Sequence, residues 1–394
     1  MKKLYFVGGI LSNYRNLLPG AIAHGQSMGL ETSILDVVNL VPRWKPYPNP
    51  WEQLGLTEKV RVFKDTEALR QFANRVGKPN EPTSQQDIAI FLNLPDREIR
   101  WLWDLFESAG FAMGVITLNP VPQIREYSIW QRAMELLVRR PGRRLKGLTK
   151  PVPVYWITSG AKTVDCYRRY FRHLRSTRLV KAHSADFETF RSAGHPESNN
   201  GDSEEFILFL DQGWHTKLRA DFRRDGRYPP TQEDVYRESI VAWLSALQAE
   251  SGIRVLVSAH PKGGAEQAGR VYPGIEVSSL PTARLVRNAR FVIGNATTSL
   301  QFAVMAMKPI CLFTSDELDK SFMFDSLLGY QRLLDSPVVN IDRPPSAKSV
   351  LASLHVDEAR YRQFLSDYIV HPQSGSGSLW EKVFHQLTEN KHAV

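Results

Sequence analysis

Cysteine is almost missing from this chain. Cys166 and Cys311 are the only two, 145 positions apart, and neither has a Cys or His neighbour at metal-ligand spacing. A disulfide framework is excluded, and the pair reads as two structural thiols in a reducing compartment. Long apolar runs are missing too. No stretch approaches the roughly 18 apolar residues that a membrane-spanning helix needs. The opening MKKLYFVGGILSNYRNLLPG places two Lys before an apolar stretch, but Gly-Gly and Asn-Tyr-Arg break it and no small-residue cleavage site follows. It reads as a first buried strand and not as a secretion signal. The nucleotide and metal signatures GxxxxGK[ST], GxGxxG, HExxH and CxxC do not occur. A Walker-type phosphate loop, dinucleotide binding and a zinc site therefore have no support.

What is present suits a large globular chain. Of 394 residues 42% are hydrophobic and 23% charged, enough for two cores rather than one. The net charge of +9 points to an anionic partner. Two segments concentrate it. VRRPGRRLKGLTK (138–150) holds six cations and no acid, and YRRYFRHLRSTRLVK (167–181) holds six more. The second interleaves Tyr167, Tyr170 and Phe171 with Arg. If helical it presents an aromatic and a cationic side, as a helix lying on an anionic bilayer does; otherwise both segments are solvated basic faces.

Apolar strands alternate with helical stretches along the whole chain. KLYFVGG (3–9), ETSILDVVNL (31–40), DIAIFLNL (87–94), FAMGVITLNP (111–120), VYWITSG (154–160) and TRLVKAHS (177–184) are strand-like, with a helix at REIRWLWDLFESAG (97–110). A polar stretch, SAGHPESNNGDSEE (192–205), reads as a linker. Beyond it come strands at 205–213, 253–261, 274–280, 290–296, 308–314 and 337–344, and helices at 231–252, 281–289 and 297–307. Thr231 with Asp234 gives the first of these helices a capping signal. This alternation predicts α/β architecture with parallel, doubly wound sheets. The expected domains are 1–195 and 205–375, with a helix in 376–394 packing back on the first domain after the QSGSGS hinge (373–378).

In such sheets ligands bind outside the carboxyl ends of the strands. Three strand ends in the second half carry reactive side chains. LFLDQGWH ends at Asp211, a candidate general base or a loop cap, with Gln212 and His215 beside it. SAHPKGG projects His260 beyond the strand, with Lys262 adding charge and Gly263 allowing close backbone approach. VIGNATTSLQFAV ends at Asn295 and opens a helix with Thr297, Thr298 and Ser299. Free N–H groups at that helix start attract anions, though the hydroxyls could equally be plain N-caps. Together these ends offer an imidazole, a cation, amides and hydroxyls, which is a phosphate cradle without a Walker motif.

The segments FLDQ, AHP and NATTSLQFAVMAMKPICLFTSDEL, in that order, resemble bacterial surface-polysaccharide glycosyltransferases of the GT-B type. Those of capsule and lipopolysaccharide synthesis that use CMP-activated sugars are the ones meant: sialyl-, Kdo- and other nonulosonate transferases. RLVKAHSADFETF (178–190) also looks like a segment of related capsule proteins. The resemblance covers roughly residues 150–320. It implies two Rossmann-like βαβ domains facing a central cleft, the first on the acceptor side and the second binding the nucleotide sugar. Asp211 would be the base and His260 would meet the CMP phosphate. Lys262, Gly263, Asn295, Thr297, Thr298 and Ser299 would bind the same phosphate. Gln212, His215, His183, Gly8 and Gly9 are candidate substrate contacts. The family's acidic motif shows two acids before Gly, whereas here it reads Asp-Gln-Gly. A CMP-sugar donor, a glycan or lipid-linked acceptor and no metal or other cofactor are expected. So is a cytoplasmic enzyme held peripherally on the inner membrane by the two basic segments, with no nucleic-acid partner. The alternatives are a transferase using a UDP- or GDP-sugar and a non-catalytic glycan- or nucleic-acid-binding protein.

Overall fold

The computed structural model describes residues 3–8, 17–41, 51–83, 85–92, 99–122, 151–167, 176–194, 205–213, 233–260, 264–320 and 324–388. They form two compact units. The first comprises 1–118, 128–185 and 370–394, and the second 119–127 and 186–369. The division thus falls at Ala185–Asp186, earlier than the polar 192–205 stretch. The chain also enters the second unit once before that point. The segment 138–150 lies outside the described residues.

The first unit is built on seven strands: β1 (Lys3–Gly8), β2 (Glu31–Asp36), β3 (Val60–Val62), β4 (Ile88–Phe91), β5 (Ala112–Thr117), β6 (Tyr155–Thr158) and β7 (Arg178–Lys181). All pair in parallel, in the order β3-β2-β1-β4-β5-β6-β7. Alternation along each strand divides its side chains between two cores. Leu4, Phe6, Ile34, Ile88 and Ile90 face one side. Tyr5, Val7, Leu35, Ala89 and Phe91 face the other. Because both faces are covered, the central strands read as continuous apolar runs. Helices α1 (Leu18–Ser27) and the terminal Leu379–Thr388 cover the first face, while α2 (Thr66–Val76) and α3 (Arg100–Ser108) cover the second. A short helix α4 (Thr163–Tyr167) precedes β7.

Since Arg178–Lys181 is strand β7, the basic 167–181 stretch is not one helix, and the expected two-sided membrane helix is corrected there. β2 stops before its expected end at 40. Asp36 accepts the Val38 amide at 2.9 Å and the Trp51 indole N–H at 2.6 Å, turning the chain into a 3₁₀ turn at Val38–Leu40.

The terminal helix buries Leu379, Trp380, Val383, Phe384 and Leu387, a stripe at helical spacing. Each is worth on the order of 2 kcal/mol of apolar burial. Trp380 donates to the Leu17 carbonyl at 2.6 Å and meets Phe6 edge-on. Gln386 accepts the Lys181 amide at 2.8 Å and donates to the Lys181 carbonyl at 2.7 Å. Its side-chain amide thereby continues the ladder of the edge strand β7 and blunts that edge.

Gly110 shows what the turns demand. Its φ is +83°, and a Cβ there would sit 2.2 Å from the Pro79 nitrogen. Gly110→Ala is expected to cost about 2–4 kcal/mol, from left-handed strain plus a backbone clash. Gly29→Ala, at φ +69° with nothing within 4 Å, should cost about 1 kcal/mol. Urea unfolding of the two variants compares them directly.

The second unit is built on six strands: β8 (Phe206–Leu210), β9 (Val255–Ser258), β10 (Glu276–Ser278), β11 (Ala289–Gly294), β12 (Ile310–Thr314) and β13 (Val338–Asn340). All pair in parallel, in the order β10-β9-β8-β11-β12-β13. Helices α5 (Ala185–Ser192), α6 (Glu233–Ser251), α7 (Gly264–Val271), α8 (Thr282–Asn288), α9 (Leu300–Met305), α10 (Phe324–Leu334), α11 (Ala347–Ser353) and α12 (Glu358–Phe364) surround it, and the terminal helix is α13. Thr231, the expected cap of α6, lies outside the described residues. Ile207, Phe209, Val257, Phe291 and Phe313 pack with Ile240, Trp243 and Leu247 of α6. Cys311 is buried there, and burial pushes its thiol up to about 12. The strand order reverses between β8 and β11, so the carboxyl ends of β9, β8 and β11 form the topological switch point of this sheet. Among the described residues no helix is long and apolar enough to cross a membrane.

Candidate functional site

The three reactive strand ends expected from the sequence lie side by side at that switch point. β8 is the middle strand, with Leu210 opposite Ser258 of β9 and Phe209 opposite Ile293 of β11. At the usual strand spacing the ends of β9 and β11 stand about 10 Å apart across β8. Side chains leaning in from both flanks can reach one tetrahedral anion.

Asp211 continues β8 by donating its amide to the Ser258 carbonyl at 3.1 Å. Its side chain is 6% exposed. Oδ1 accepts the Gly213 amide and the Tyr272 hydroxyl, both at 2.9 Å, and Oδ2 accepts the His260 amide at 3.2 Å. Gly213 makes the turn at φ +64°. These three donors on two oxygens offset much of the cost of burying this carboxylate. The expected base thus also has a structural role: Oδ2 holds the tip of β9, while Oδ1 holds the turn after β8 and the Tyr272 hydroxyl. Tyr272 gave no signal in the sequence. Its phenol is held well above the usual range, by burial first and then by Asp211.

His260 is half-buried at the tip of β9. Its amide is tied to Asp211, and its carbonyl accepts the Gly264 amide at 3.1 Å where α7 begins. Beneath it Ser258 and Thr282 share a hydroxyl contact of 2.8 Å. Backbone, not side chain, is what these bonds fix, so the imidazole is aimed by its anchored main chain. Gln212, next to Asp211, has its Nε2 out of solvent with no hydrogen-bond partner among the described residues. A buried donor left open in this way costs on the order of 1–3 kcal/mol unless a ligand or water meets it. Lys262, Gly263, His215 and Gly9 lie outside the described residues.

On the other flank, Gly294 ends β11 because a Cβ would press on Leu300 at 2.9 Å and on Leu210 at 3.4 Å. Asn295 is 1% exposed, donates to the Phe313 carbonyl at 2.7 Å and accepts the Ala296 amide at 2.6 Å. It stitches β11 to β12, and the expected phosphate contact through its side chain is corrected to this structural one. The following turn delays the helix, so α9 begins at Leu300 and not at Thr297. Thr297 Oγ1 accepts the Ser299 amide at 3.3 Å, and its carbonyl accepts the Tyr330 hydroxyl at 2.9 Å. Ser299, at the N-cap position, makes no side-chain cap. α9 has six residues, so little dipole stands behind the turn. The donors left over are the Thr298 amide and the hydroxyls of Thr297, Thr298 and Ser299. All are part-exposed and donate to no partner among the described residues.

The remaining expected contacts lie in the first unit. Gly8 ends β1 at that sheet's own reversal of strand order, and its carbonyl accepts the Val37 amide. His183 is fully buried, pairs with Val370 in an isolated bridge, and has Nδ1 3.0 Å from the Lys382 ammonium. With no exposed surface it serves that interior, and its expected substrate contact is corrected. Among the described residues no three His, Cys, Asp or Glu side chains gather as metal ligands.

One titrating group escaped sequence reasoning. Asp186 opens α5, and nothing in Ser-Ala-Asp-Phe marks it out. Its Oδ1 accepts Asn119 Nδ2 at 3.3 Å, while Oδ2 is out of solvent and has no partner among the described residues. Burial pushes the carboxyl from 3.8 up to about 7, which the Asn119 bond only partly offsets. The neutral acid is thus the form the fold prefers. The stability it supports is complete below about pH 4 and is lost as pH rises through 7. Asp186→Asn should match the wild type at pH 4.5 and be the more stable protein at pH 8. The gap should be at most on the order of 4 kcal/mol, read by urea unfolding at both pH values.

No protein family and no curated protein matches this chain. Solved structures do. The wall teichoic acid polymerase TagF superposes with a TM-score of 0.50 at 13% identity, over 99% of this chain and 90% of that one. UDP-GlcNAc 2-epimerase from Methanocaldococcus jannaschii, solved with UDP-GlcNAc and UDP, gives 0.49 at 11%, over 98% and 99%. S. aureus MnaA with UDP gives 0.47 at 13%, over 98% and 96%. At such identities likeness speaks for architecture alone: the chain is an α/β protein with two Rossmann-like domains, the GT-B arrangement.

Proposed function

We propose that this protein is a glycosyltransferase that moves a sugar from a CMP-activated donor to a glycan or lipid-linked acceptor in bacterial surface-polysaccharide synthesis. The sugar in this reading is a nonulosonic acid or Kdo. One observation carries it. The His260 tip, the open Gln212 amide and the open donors of Thr298 and Ser299 sit on three adjacent strand ends at the switch point of one parallel sheet.

The chemistry follows from charge. Breaking the bond between an anomeric carbon and a phosphate leaves negative charge on the departing nucleotide. Donors fixed where that charge grows stabilise the transition state more than the bound substrate. In this reading the His260 imidazole meets the phosphate from one flank and Thr298 and Ser299 from the other, with Gln212 between them. Lys262 would add a full positive charge. Asp211 is a positioning residue that holds His260. A CMP leaving group carries a single phosphate, so the reaction proposed here uses no metal. The protein works in the cytoplasm, peripherally on the inner membrane through its basic segments, and takes no nucleic acid.

Thermal shift with CMP, UDP and GDP tests the donor. At a hundredfold excess over Kd, CMP should stabilise the protein by about 2.7 kcal/mol, a shift of a few degrees. Stabilisation by UDP alone would reject the CMP assignment and leave a UDP-sugar transferase.

A further inference from the structure

A second cationic feature lies at the opposite edge of the same sheet. A pocket of about 730 Å³ is lined by Phe187, Phe190 and Arg191 of α5, Arg287 of α8, Met305 of α9 and Lys308, among others. Arg287 ends at the amino end of β11 and Lys308 at that of β12. The pocket therefore stands about 20 Å, one strand length, from the switch point.

Its chemistry is two-sided. Phe187, Phe190 and Met305 give it an apolar floor, and all three are only part-buried. Arg191, Arg287 and Lys308 give it three positive charges, and among the described residues no acid lines it. The Arg287 guanidinium carbon lies over the Phe190 ring, 3.8 Å from its centroid, and the guanidinium donates to the Phe190 carbonyl at 2.8 Å. Its Nε has no hydrogen-bond partner among the described residues. Stacking of this kind fixes the plane of the guanidinium, so less freedom is lost when an oxyanion binds. The Lys308 ammonium has no ion-pair partner among the described residues. Cations are common at helix carboxyl ends, and α5, α8 and α9 all end nearby. Each such end carries about half a negative charge at most. Arg287 and Lys308 alone bring two full charges, which exceed that sum, and the helices are short.

We propose that this pocket binds a phosphate ester that carries an apolar chain. The phosphate lies between Arg287 and Lys308, and the chain lies on Phe187, Phe190 and Met305. This site is independent of the donor site, since it shares no residue with it.

Calorimetric titration with monomeric dihexanoyl phosphatidate tests it, with inorganic phosphate in parallel and His260→Ala as background so that the switch point takes no part. Saturable one-to-one binding of phosphatidate is expected, at least tenfold tighter than inorganic phosphate. The double variant Arg287→Gln, Lys308→Gln should weaken it at least tenfold. Should that variant fail to fold by circular dichroism, Lys308→Gln alone is read, with a loss of threefold or more expected. Co-sedimentation with phosphatidylglycerol vesicles then separates the sources: binding assigns a membrane headgroup, and its absence beside monomer binding assigns a soluble ester. No saturable phosphatidate binding, equal affinity for inorganic phosphate, or undiminished binding by the folded variants would overturn the proposal.

Discussion

His260→Ala is expected to lower kcat for sugar transfer by about 10²- to 10³-fold, the usual effect of deleting one fixed stabiliser of developing charge. The fold should survive. The hydrogen bonds that hold this tip run through the His260 backbone, its amide with Asp211 and its carbonyl with Gly264, and alanine keeps both. The loss belongs mainly in kcat, because the interaction strengthens as the phosphate departs. Affinity for CMP should fall less. Steady-state kinetics with a CMP-sugar donor, alongside a melting curve, reads both.

Asp211 is where the largest loss of stability is expected. Asp211→Ala leaves the buried Tyr272 hydroxyl and the Gly213 and His260 amides without their acceptor. At roughly 1–3 kcal/mol for each buried group left open, the variant should lose at least 3 kcal/mol and melt far below the wild type. Asp211→Asn separates the two roles discussed for this residue. Its Oδ1 can still accept from Gly213 and Tyr272, as Oδ1 does now. The atom that replaces Oδ2 is an NH₂ group facing the His260 N–H. Only the anchor of the β9 tip is therefore lost, at about 1–3 kcal/mol. If Asp211 positions His260, this variant should lose most in kcat and less, but measurably, in CMP affinity, as His260→Ala does. If it were the base that activates an acceptor, kcat would fall while CMP bound as before.

The strands at the centre of each sheet were legible because burial on both faces leaves them no polar alternation to blur. β3 escaped: Val60–Val62 is a three-residue edge strand, mostly exposed. The helix at 297–307 was placed too early because Thr and Ser are good helix openers. Here they form a turn pinned by Tyr330 from 33 positions away, and no local pattern contains that bond. The three strand ends were visible as polar groups following apolar runs. What each group does there was less visible. Asp211 and Asn295 look like free functional groups in the sequence, but Tyr272 and Phe313 engage them in the fold. Gln212 and Asp186 stand out only once burial is known. The passage of 119–127 into the second unit rests on contacts such as Gln301 Nε2 with the Pro120 carbonyl at 3.1 Å, 181 positions apart.

A crystal soaked with CMP tests the anion cradle most directly. The phosphate should lie within about 3 Å of the His260 imidazole and of the Thr298 amide or the Ser299 hydroxyl, above the end of β8. A nucleotide bound by the protein with its phosphate away from these groups, for example at the Gly8 end of the first sheet, would contradict the mechanism.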